Sequence, residues 1–337
     1  MIRRLLAAAI IVALAAALLI SCWPQLFGLE RTAGAAQLVS LRGMAALVAI
    51  LLAVLVTLFA LLSRRTRRFF AGAGVLLLGF AAVSVAVLAV RGASGGAFSS
   101  VADGDLVVLS WNTLGDAPGA EAIAELATAQ DADVVALPET SHAAGEAVRA
   151  LLEASGHPMQ LIELQLDQIS KARSTVLLVS TALGEYRRDD TVGTTPTLPS
   201  VVATPVNGTG PTFVAAHPVS PVAAEMQSWR EGLDWLAARC AAPDADVIVA
   251  GDLNSTLDHW AGLGSDVGLA SCRDVARAVG AAAVGTWPTI LPPLLGAPID
   301  HVLATDSWQA VGFRVIESSD GAGSDHRPVV AQLRPAS

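Results

Sequence analysis

The fold of the C-terminal part is decided by one stretch, Val247-Ile248-Val249-Ala250-Gly251-Asp252-Leu253-Asn254. Its first four residues form the short apolar run expected of a strand buried in a sheet. Alternate residues of an extended segment face the same way, so the side chains of Asp252 and Asn254 can reach one ligand. Gly-Asp and Asn-Ser are also good turn residues, and taken alone a turn explains this stretch as well.

Five other segments repeat the pattern of an apolar run that adjoins a carboxylate, an amide or an imidazole. They carry Asn112 after 106–111, Glu139 after 133–137, His217 after 213–216, Asp300 after Ile299, and Asp325 with His326 ahead of 329–333. Polar groups at the ends of buried strands are held by a rigid scaffold and can face a common cleft. The repeated pattern therefore predicts one site for a metal ion and a phosphate group, assembled from both halves of this part.

Glu139 is the strongest candidate for a metal ligand. It follows a fully apolar strand, where a buried carboxylate without a partner would be costly. Mg²⁺ prefers hard oxygen ligands, among them one or two carboxylates. The alternative is an ordinary acidic residue at the start of the next helix.

A carboxylate that is bonded to an imidazole fixes the tautomer of that imidazole and stabilises its charged form. We therefore expect Asp300 to pair with His217, and His326 to pair with a second acidic group. Chain order alone proves neither pairing. His142, His157 and His259 are interpreted as structural histidines.

The order and the residues of these motifs resemble those of the endonuclease/exonuclease/phosphatase superfamily, the metal-dependent phosphoesterases with a DNase I-like fold. The resemblance covers about residues 106–333. It rests on Ser110-Trp111-Asn112, Glu139, the strand 174–180, His217, Gly251-Asp252-Leu253-Asn254, Pro298-Ile299-Asp300-His301 and Ser324-Asp325-His326-Arg327-Pro328. The last three motifs are the most specific.

The resemblance implies a role for eight residues. Asn112, Glu139 and Asp325 would hold or orient the metal, which would be Mg²⁺ or alternatively Mn²⁺. Asp252 would position or deprotonate the attacking water, and Asn254 would hold a phosphate oxygen. His217, oriented by Asp300, would act as general acid or phosphate contact, and His326 would bind the phosphate and stabilise the transition state. Two positions depart from the family pattern: Pro138 replaces a common Gln, and Leu114 replaces the second acid of some nucleases, which leaves a second metal in doubt.

Residues 1–91 predict a membrane anchor. Three apolar stretches, at about 5–23, 43–63 and 69–90, are each close to the roughly 20 residues that span a bilayer as a helix. Arg residues precede the first stretch and fill the turn at 64–68, so the positive-inside rule puts the N-terminus in the cytoplasm and the C-terminal part outside. A cleaved signal peptide at the first stretch is the alternative. Leu19-Ile20-Ser21-Cys22 also resembles a bacterial lipoprotein box, although two further spans make a lipid there redundant.

The two parts of the chain have opposite charge. Residues 1–91 contain nine Arg and one Glu, whereas residues 92–337 contain 12 basic and 29 acidic residues, with Lys171 as the single Lys. A surface that neutralises many phosphates of a nucleic acid usually does so with Lys and Arg. The composition therefore favours a small or membrane-borne phosphoester, such as a phospholipid or inositol-phosphate headgroup, over nucleic acid. No obligate protein partner is predicted.

Strand and helix signals alternate along residues 105–337, after a small-residue linker at 92–104. They predict an α/β (α+β) four-layer sandwich preceded by three transmembrane helices, with a single open doubly wound sheet as the alternative. No glycine fingerprint follows the first strand, so a dinucleotide site has no support. Cys240 and Cys272 are equally compatible with a disulfide and with two buried thiols.

These observations predict a multi-pass protein of a bacterial cell membrane whose outward-facing domain is a Mg²⁺-dependent phosphoesterase. The bacterial origin is suggested by the Ala-rich composition. The alternatives are an extracellular nuclease and a non-catalytic receptor on the same fold. The anchor carries no ionisable residue deep in its apolar stretches, so simple anchoring is favoured over transport or sensing.

Overall fold

The computed structural model of the protein describes residues 1–94, 98–166, 170–241, 246–264 and 267–336. The N-terminal part contains the helices α1 (Ile2–Cys22), α2 (Ala35–Ser40), α3 (Arg42–Leu62) and α4 (Arg67–Arg91). By length and hydropathy, α1, α3 and α4 could each cross a membrane. This confirms the three predicted apolar stretches, whereas the short helix α2 has no counterpart in the sequence-based prediction.

The described residues of the C-terminal part form two β-sheets and four helices. The helices are α5 (Gly119–Ala129), α6 (His142–Ala154), α7 (Met226–Cys240) and α8 (Val275–Ala278). The strands are β1 (Leu106–Ser110), β2 (Val134–Pro138), β3 (Met159–Gln165), β4 (Ser174–Ser180), β5 (Tyr186–Arg188), β6 (Val201–Pro205), β7 (Thr212–Ala216), β8 (Val247–Asp252), β9 (Gly268–Leu269), β10 (Cys272–Asp274), β11 (Asp300–Ala304), β12 (Trp308–Val315) and β13 (Val329–Pro335). One sheet has the strand order β12-β13-β1-β2-β4-β3, and the other has the order β5-β6-β7-β8-β11-β10-β9.

The two sheets face each other across the main core, and helices cover their outer faces. Ile248 and Ala250 of β8 lie between the sheets together with Val108 of β1. The intervening Val249 points the other way and packs in a cluster with Trp229 of α7. α5 and α6 cover the other sheet in the same manner. This arrangement confirms the four-layer sandwich and excludes the single open sheet.

The inward-facing residues of both sheets change from apolar to polar at the same end of the sandwich. In β8 the inward series Ile248, Ala250 continues to Asp252, because alternate residues of a strand share a face. In β7 the series Phe213, Ala215 continues to His217 just beyond the strand. The functional residues are therefore the polar end of the core.

The prediction places no strand at β3, β5, β6, β9 or β10. The sequence predicts one helix over 271–279, but residues 272–274 form β10 and only the single turn α8 follows. Arg273 and Asp274 pair with Ala304 and Leu303 of β11, and this sheet pairing overrides the local helical signal. The polar segment 193–211 is predicted as turns, yet it contains β6, whose Val201 pairs with Ala215 of β7.

The described residues of the predicted linker 92–104 contact the C-terminal part on both sides of 95–97, which lie outside the described residues. Ala283 donates its backbone N–H to the carbonyl of Gly92 at 2.8 Å. The guanidinium carbon of Arg314 lies 4.5 Å from the centre of the Phe98 ring. Both ends of the segment are therefore held against the sandwich.

A buried carboxylate, Asp258, joins the anchor to the C-terminal part. Arg42, at the start of α3, contacts its Oδ1 at 2.8 Å, and Arg91, at the end of α4, contacts its Oδ2 at 2.8 Å. Gln25, which follows α1, donates to Oδ1 at 2.8 Å. Burial raises the pKa of Asp258, but the charges of Arg91 and Arg42 outweigh burial and hold this pKa well below its usual range. One residue therefore receives contacts from the ends of all three long helices.

Asp258→Asn is expected to destabilise the full-length protein by about 3 kcal/mol, because Arg42 would keep a buried charge without its counterion. In detergent this should lower the unfolding temperature by roughly 5–10 °C. The control is Asp306→Asn, which breaks the exposed ion pair with Arg273 and should change the free energy of unfolding by less than about 1 kcal/mol.

Because the pKa of Asp258 is lowered by folding, its contribution is fully present above the unfolded pKa of about 4 and is lost as the pH falls below it. The difference in unfolding temperature between wild type and Asp258→Asn should therefore be constant from about pH 7 to 5 and shrink below about pH 4. A difference that grows in acid would contradict this assignment.

Cys240 and Cys272 form a disulfide, which decides between the two alternatives left open by the sequence. Cys240 ends α7 and Cys272 begins β10, and both are fully buried. The bond closes a loop with a sequence separation of 32 residues and connects the helix to β10, the strand next to the edge strand β9.

Replacing both cysteines by Ala is expected to cost about 3–4 kcal/mol of stability, the value for closing a loop of this length. Thermal unfolding in detergent measures the change, with Cys22→Ala as the control, because Cys22 is the free cysteine among the described residues. Peptide mapping without reductant should yield one linked pair of peptides, and its absence from protein made in an oxidising compartment would contradict the assignment.

Candidate active site

The polar end of the core opens into a cavity of about 420 Å³. Six of the eight predicted site residues line it: Glu139, His217, Asp252, Asn254, Asp325 and His326. The other two, Asn112 and Asp300, are buried behind this lining and bond to residues in it. The structure therefore brings together residues that lie far apart along the chain.

The central interaction of the site involves two carboxylates and one imidazole. Asp252 of β8 and Asp300 of β11 are directly opposite each other in the antiparallel register, and both are buried. His326 bonds Oδ2 of Asp300 through Nδ1 at 2.9 Å, and its Nε2 lies 3.7 Å from Oδ2 of Asp252. Burial alone would lower the pKa of His326, but the two carboxylates outweigh burial and raise this pKa to about 10. The imidazole is therefore positively charged and offsets the repulsion between the opposed acids.

The predicted pairing of Asp300 with His217 is wrong, because Asp300 bonds to His326 instead. His217 is fully buried, and neither ring nitrogen has a hydrogen-bond partner in the described part of the chain. Its Nε2 lies 3.6 Å from Oε1 of Glu139. Burial, and then the charge of His326, lower the pKa of His217 to about 3, so this imidazole is neutral with its ring nitrogens unused.

Amide groups orient Asp252. Asn112 donates from Nδ2 to Oδ2 of Asp252 at 3.0 Å. Asn254 donates its backbone N–H to Oδ1 at 2.8 Å and its Nδ2 to Oδ2 at 3.1 Å, and the same Nδ2 donates to the carbonyl of Pro218. Burial and the neighbouring Asp300 raise the pKa of Asp252 to about 7, although the charge of His326 opposes this shift. Asp252 can therefore exchange a proton near neutral pH.

Glu139 and Asp325 add two further carboxylates to the lining of the cavity. Glu139 accepts a hydrogen bond from Asn112 at 3.1 Å, and burial raises the pKa of Glu139. Asp325 accepts from Nε1 of Trp287 at 2.8 Å through Oδ2, while its buried Oδ1 has no hydrogen-bond partner among the residues described. Such hard oxygen atoms, one of them without a donor, fit a divalent cation such as Mg²⁺.

Asp252, Asp300 and His326 also have candidate ligand atoms within 4.8 Å of one another. A metal requires the lone pair of a neutral imidazole. The Nδ1 of His326 is bonded to Asp300, and Glu139 and Asp325, which line the same cavity, are the further candidate ligands.

Two residues of the site have a backbone conformation that is uncommon for side chains with a Cβ. Glu139 has a φ of 57° and Asn254 has a φ of 45°. Such left-handed positions are strained and persist where the surrounding structure determines them, often at functional sites. The turn after β2 directs Glu139 into the cavity in this way.

The other histidines are structural, as predicted for His259. His259 accepts the backbone N–H of Thr256 at Nδ1 and bonds the carbonyl of Ala36 through Nε2. His301 follows Asp300 and faces away from the cavity, where it contacts Asp274 at 2.7 Å.

Sequence reasoning missed several residues of the cavity. Trp287, which bonds Asp325, lies in a Pro-rich loop without a recognisable motif. Gln37, Ser40 and Leu41 also line the cavity although they belong to the anchor. No local signal could have identified them, because their position depends on how the anchor packs against the sandwich.

Residues 109–326 match the model of the Endonuclease/Exonuclease/phosphatase family. The chain belongs to this family. No curated protein sequence matches the chain. The family is generally hydrolytic and typically depends on divalent metals, which agrees with the clustered ligand atoms of Asp252, Asp300 and His326.

Solved structures are similar to about two thirds of the chain. An endonuclease/exonuclease/phosphatase from Beutenbergia cavernae DSM 12333 has 23% identity and a TM-score of 0.54, covering 69% of this chain and 72% of that chain. D. rerio TDP2 complexed with single strand DNA product has 21% identity and a TM-score of 0.52, covering 69% and 100%. A family member from Bacteroides vulgatus has 15% identity and a TM-score of 0.51, covering 69% and 99%. At these identities the likeness shows the fold.

Mg²⁺ is expected to raise the unfolding temperature of the full-length protein, because it would bind the folded state alone. Glu139→Gln and Asp325→Asn should each weaken Mg²⁺ binding at least about tenfold, since each removes one charged ligand. Asp300→Asn, in the neighbouring group, should retain binding. Isothermal titration calorimetry measures the Mg²⁺ affinity of the three variants. Loss of binding in Asp300→Asn with binding retained in Glu139→Gln and Asp325→Asn would assign the ion to Asp252, Asp300 and His326.

Proposed function

We propose that the protein is a divalent-metal-dependent phosphoesterase that hydrolyses its substrate at the surface of a membrane. The observation that carries this proposal is the charged His326 between two buried carboxylates, next to the oxygen ligands Glu139 and Asp325. A buried cation beside a hard metal site is suited to a substrate with several negative oxygens.

Each residue has a task that follows from its geometry. Glu139 and Asp325 would hold the ion, with Glu139 oriented by Asn112, and the ion would supply neutralisation of negative charge on the phosphoryl group. Asp252, whose pKa lies near 7, takes a proton from the water that attacks phosphorus. A new P–O bond forms as the ester P–O bond breaks; the leaving oxygen takes a proton from solvent water, and Asp252 returns the proton that it accepted to the solvent.

The two histidines act on the phosphoryl oxygens in different ways. His326 donates from Nε2 as a cation, and Asp300 holds it in that orientation. His217 is neutral and donates as a hydrogen-bond partner. Asn254 positions Asp252 with both its backbone and its side-chain N–H groups.

The catalytic part is proposed to lie outside the cytoplasm of a bacterial cell, with the N-terminus inside. The Arg residues at 64–68 belong to the end of the helix bundle opposite the sandwich, as the positive-inside rule requires for this orientation. The disulfide Cys240–Cys272 supports the same side, because structural disulfides form in oxidising compartments.

Hydrolysis of a generic diester, bis(p-nitrophenyl) phosphate, by the full-length protein in detergent tests the proposal. Wild type should cleave it with Mg²⁺ or Mn²⁺ and stop when the ion is chelated. Asp252→Asn and His326→Gln should each lower kcat/KM by roughly 10²–10⁴, the usual contribution of an acid–base residue.

The matched control is His142→Gln, since His142 is 57% exposed and lies on α6 outside the cavity. It should leave kcat/KM unchanged. Equal activity in wild type and Asp252→Asn would overturn the proposal, and cleavage of plasmid DNA in preference to the small diester would favour a nuclease.

A further inference from the structure

The anchor forms one wall of the catalytic cavity. Gln37 and Ser40 of α2 and the following Leu41 line it, next to the loop that contains Pro221 and Val222. A membrane tether that only held the domain nearby would have no reason to enter the site. These residues are therefore positioned to contact a substrate bound in the cavity.

Specific contacts fix α2 in that position. Gln37 donates from Nε2 to the carbonyl of Pro221, and Ala36 packs fully buried in the core cluster of α7. His259 bonds the carbonyl of Ala36 at 3.1 Å. The ion pair of Arg42 with Asp258 holds the residue directly after Leu41. The wall is therefore part of the folded sandwich.

The cavity has a polar floor and an apolar mouth. The carboxylates and imidazoles lie at the floor, whereas Leu41, Leu114, Leu198, Val222 and Ile299 contribute apolar lining. Leu114 is 45% exposed and Val222 is 52% exposed. Such exposed apolar side chains around a charged floor suit a ligand with one charged and one apolar end.

A second cavity, of about 380 Å³, lies beside the first at the surface of the transmembrane helices. All of its described lining is apolar, from α3, α4 and the loop around Leu294. Leu41 and Ala297 line the catalytic cavity, and Gly43 and Leu295 line the second one, so the same two segments border both. A Cβ on Gly43 would lie 1.9 Å from the carbonyl oxygen of Leu294, which shows how closely these segments pack.

We propose that the anchor is a specificity-determining part of the active site, and that the site takes a phosphoester with a long apolar chain. The phosphate group lies on the polar floor, and the chain lies against Leu41 and Val222 and leads to the membrane surface beside α3. This inference rests on the proposed hydrolytic function and adds the class of substrate. A polynucleotide fits less well, because its flanking phosphates would lie against apolar side chains.

Two synthetic diesters with the same reacting group test the inference: methyl p-nitrophenyl phosphate and dodecyl p-nitrophenyl phosphate. Both are assayed with the full-length protein in one detergent, and the measured quantity is the ratio of their kcat/KM values. Micelles concentrate the dodecyl ester for every variant alike. The dependence of the ratio on the variant is therefore decisive.

The double variant Leu41→Gln/Val222→Gln should lower this ratio about tenfold, chiefly through a higher KM for the dodecyl ester, because burial of a few CH₂ groups is lost. The kcat/KM for the methyl ester should fall less than that for the dodecyl ester, because the methyl ester has no chain to lie against these residues. Leu38→Gln is the matched control: Leu38 lies on α2, is 36% exposed and does not line the cavity. The ratio measured for Leu38→Gln should stay within about twofold of the wild-type ratio. A twofold change corresponds to less than half the free energy of a tenfold change.

The two proposals fail in different ways. If wild type cleaves both esters but the double variant keeps the wild-type ratio, the inference is overturned and the hydrolytic function stands. The same conclusion follows if Leu38→Gln lowers the ratio as much as the double variant does. If wild type cleaves neither ester, the hydrolytic function itself is overturned, and the inference with it.

Discussion

The site depends on keeping two carboxylates ionisable at directly opposed positions of adjacent buried strands. Asp252 and Asp300 are both buried, so water does not screen the repulsion between them. Like charges that lie directly opposite each other destabilise a sheet. The imidazolium of His326 compensates both. Its charge in turn disfavours protonation of His217, which stays neutral. One buried imidazole therefore contacts both acids, and its charge adds to the effect of burial on the pKa of His217.

Local signals predicted most of this site. Apolar runs that end in acids, amides or imidazoles identified all eight residues, because strand ends and loop chemistry are encoded within a few positions. The partner of Asp300 could not be predicted in this way. It depends on the order of strands in the two sheets. This order brings His326, in the loop before β13, against Asp300 of β11, in place of His217 at the end of β7. The strand β6 was missed for a similar reason, since its pairing with β7 outweighs a polar, turn-rich sequence.

The anchor shows the same division between local and long-range information. Length and hydropathy predicted its three spans, but they did not predict what Arg42 and Arg91 contact at the ends of α3 and α4. Both residues bond to Asp258, which lies in a turn without a recognisable motif. Asp258 is 216 residues away from Arg42 and 167 residues away from Arg91 along the chain. Composition could not reveal that the charged helix ends are also the attachment points of the sandwich. Nor could it reveal that α2 enters the cavity.

The convergence of three helix ends on Asp258 has a consequence for how the protein meets its substrate. These contacts fix the sandwich relative to the helices, so in a membrane crossed by α1, α3 and α4 the mouth of the cavity would keep one height and one tilt above the lipid. A molecule diffusing laterally in the bilayer would arrive in a constant orientation, and the encounter would be a two-dimensional search. Its rate would follow the surface density of that molecule in the leaflet, largely independent of the volume of the surrounding medium.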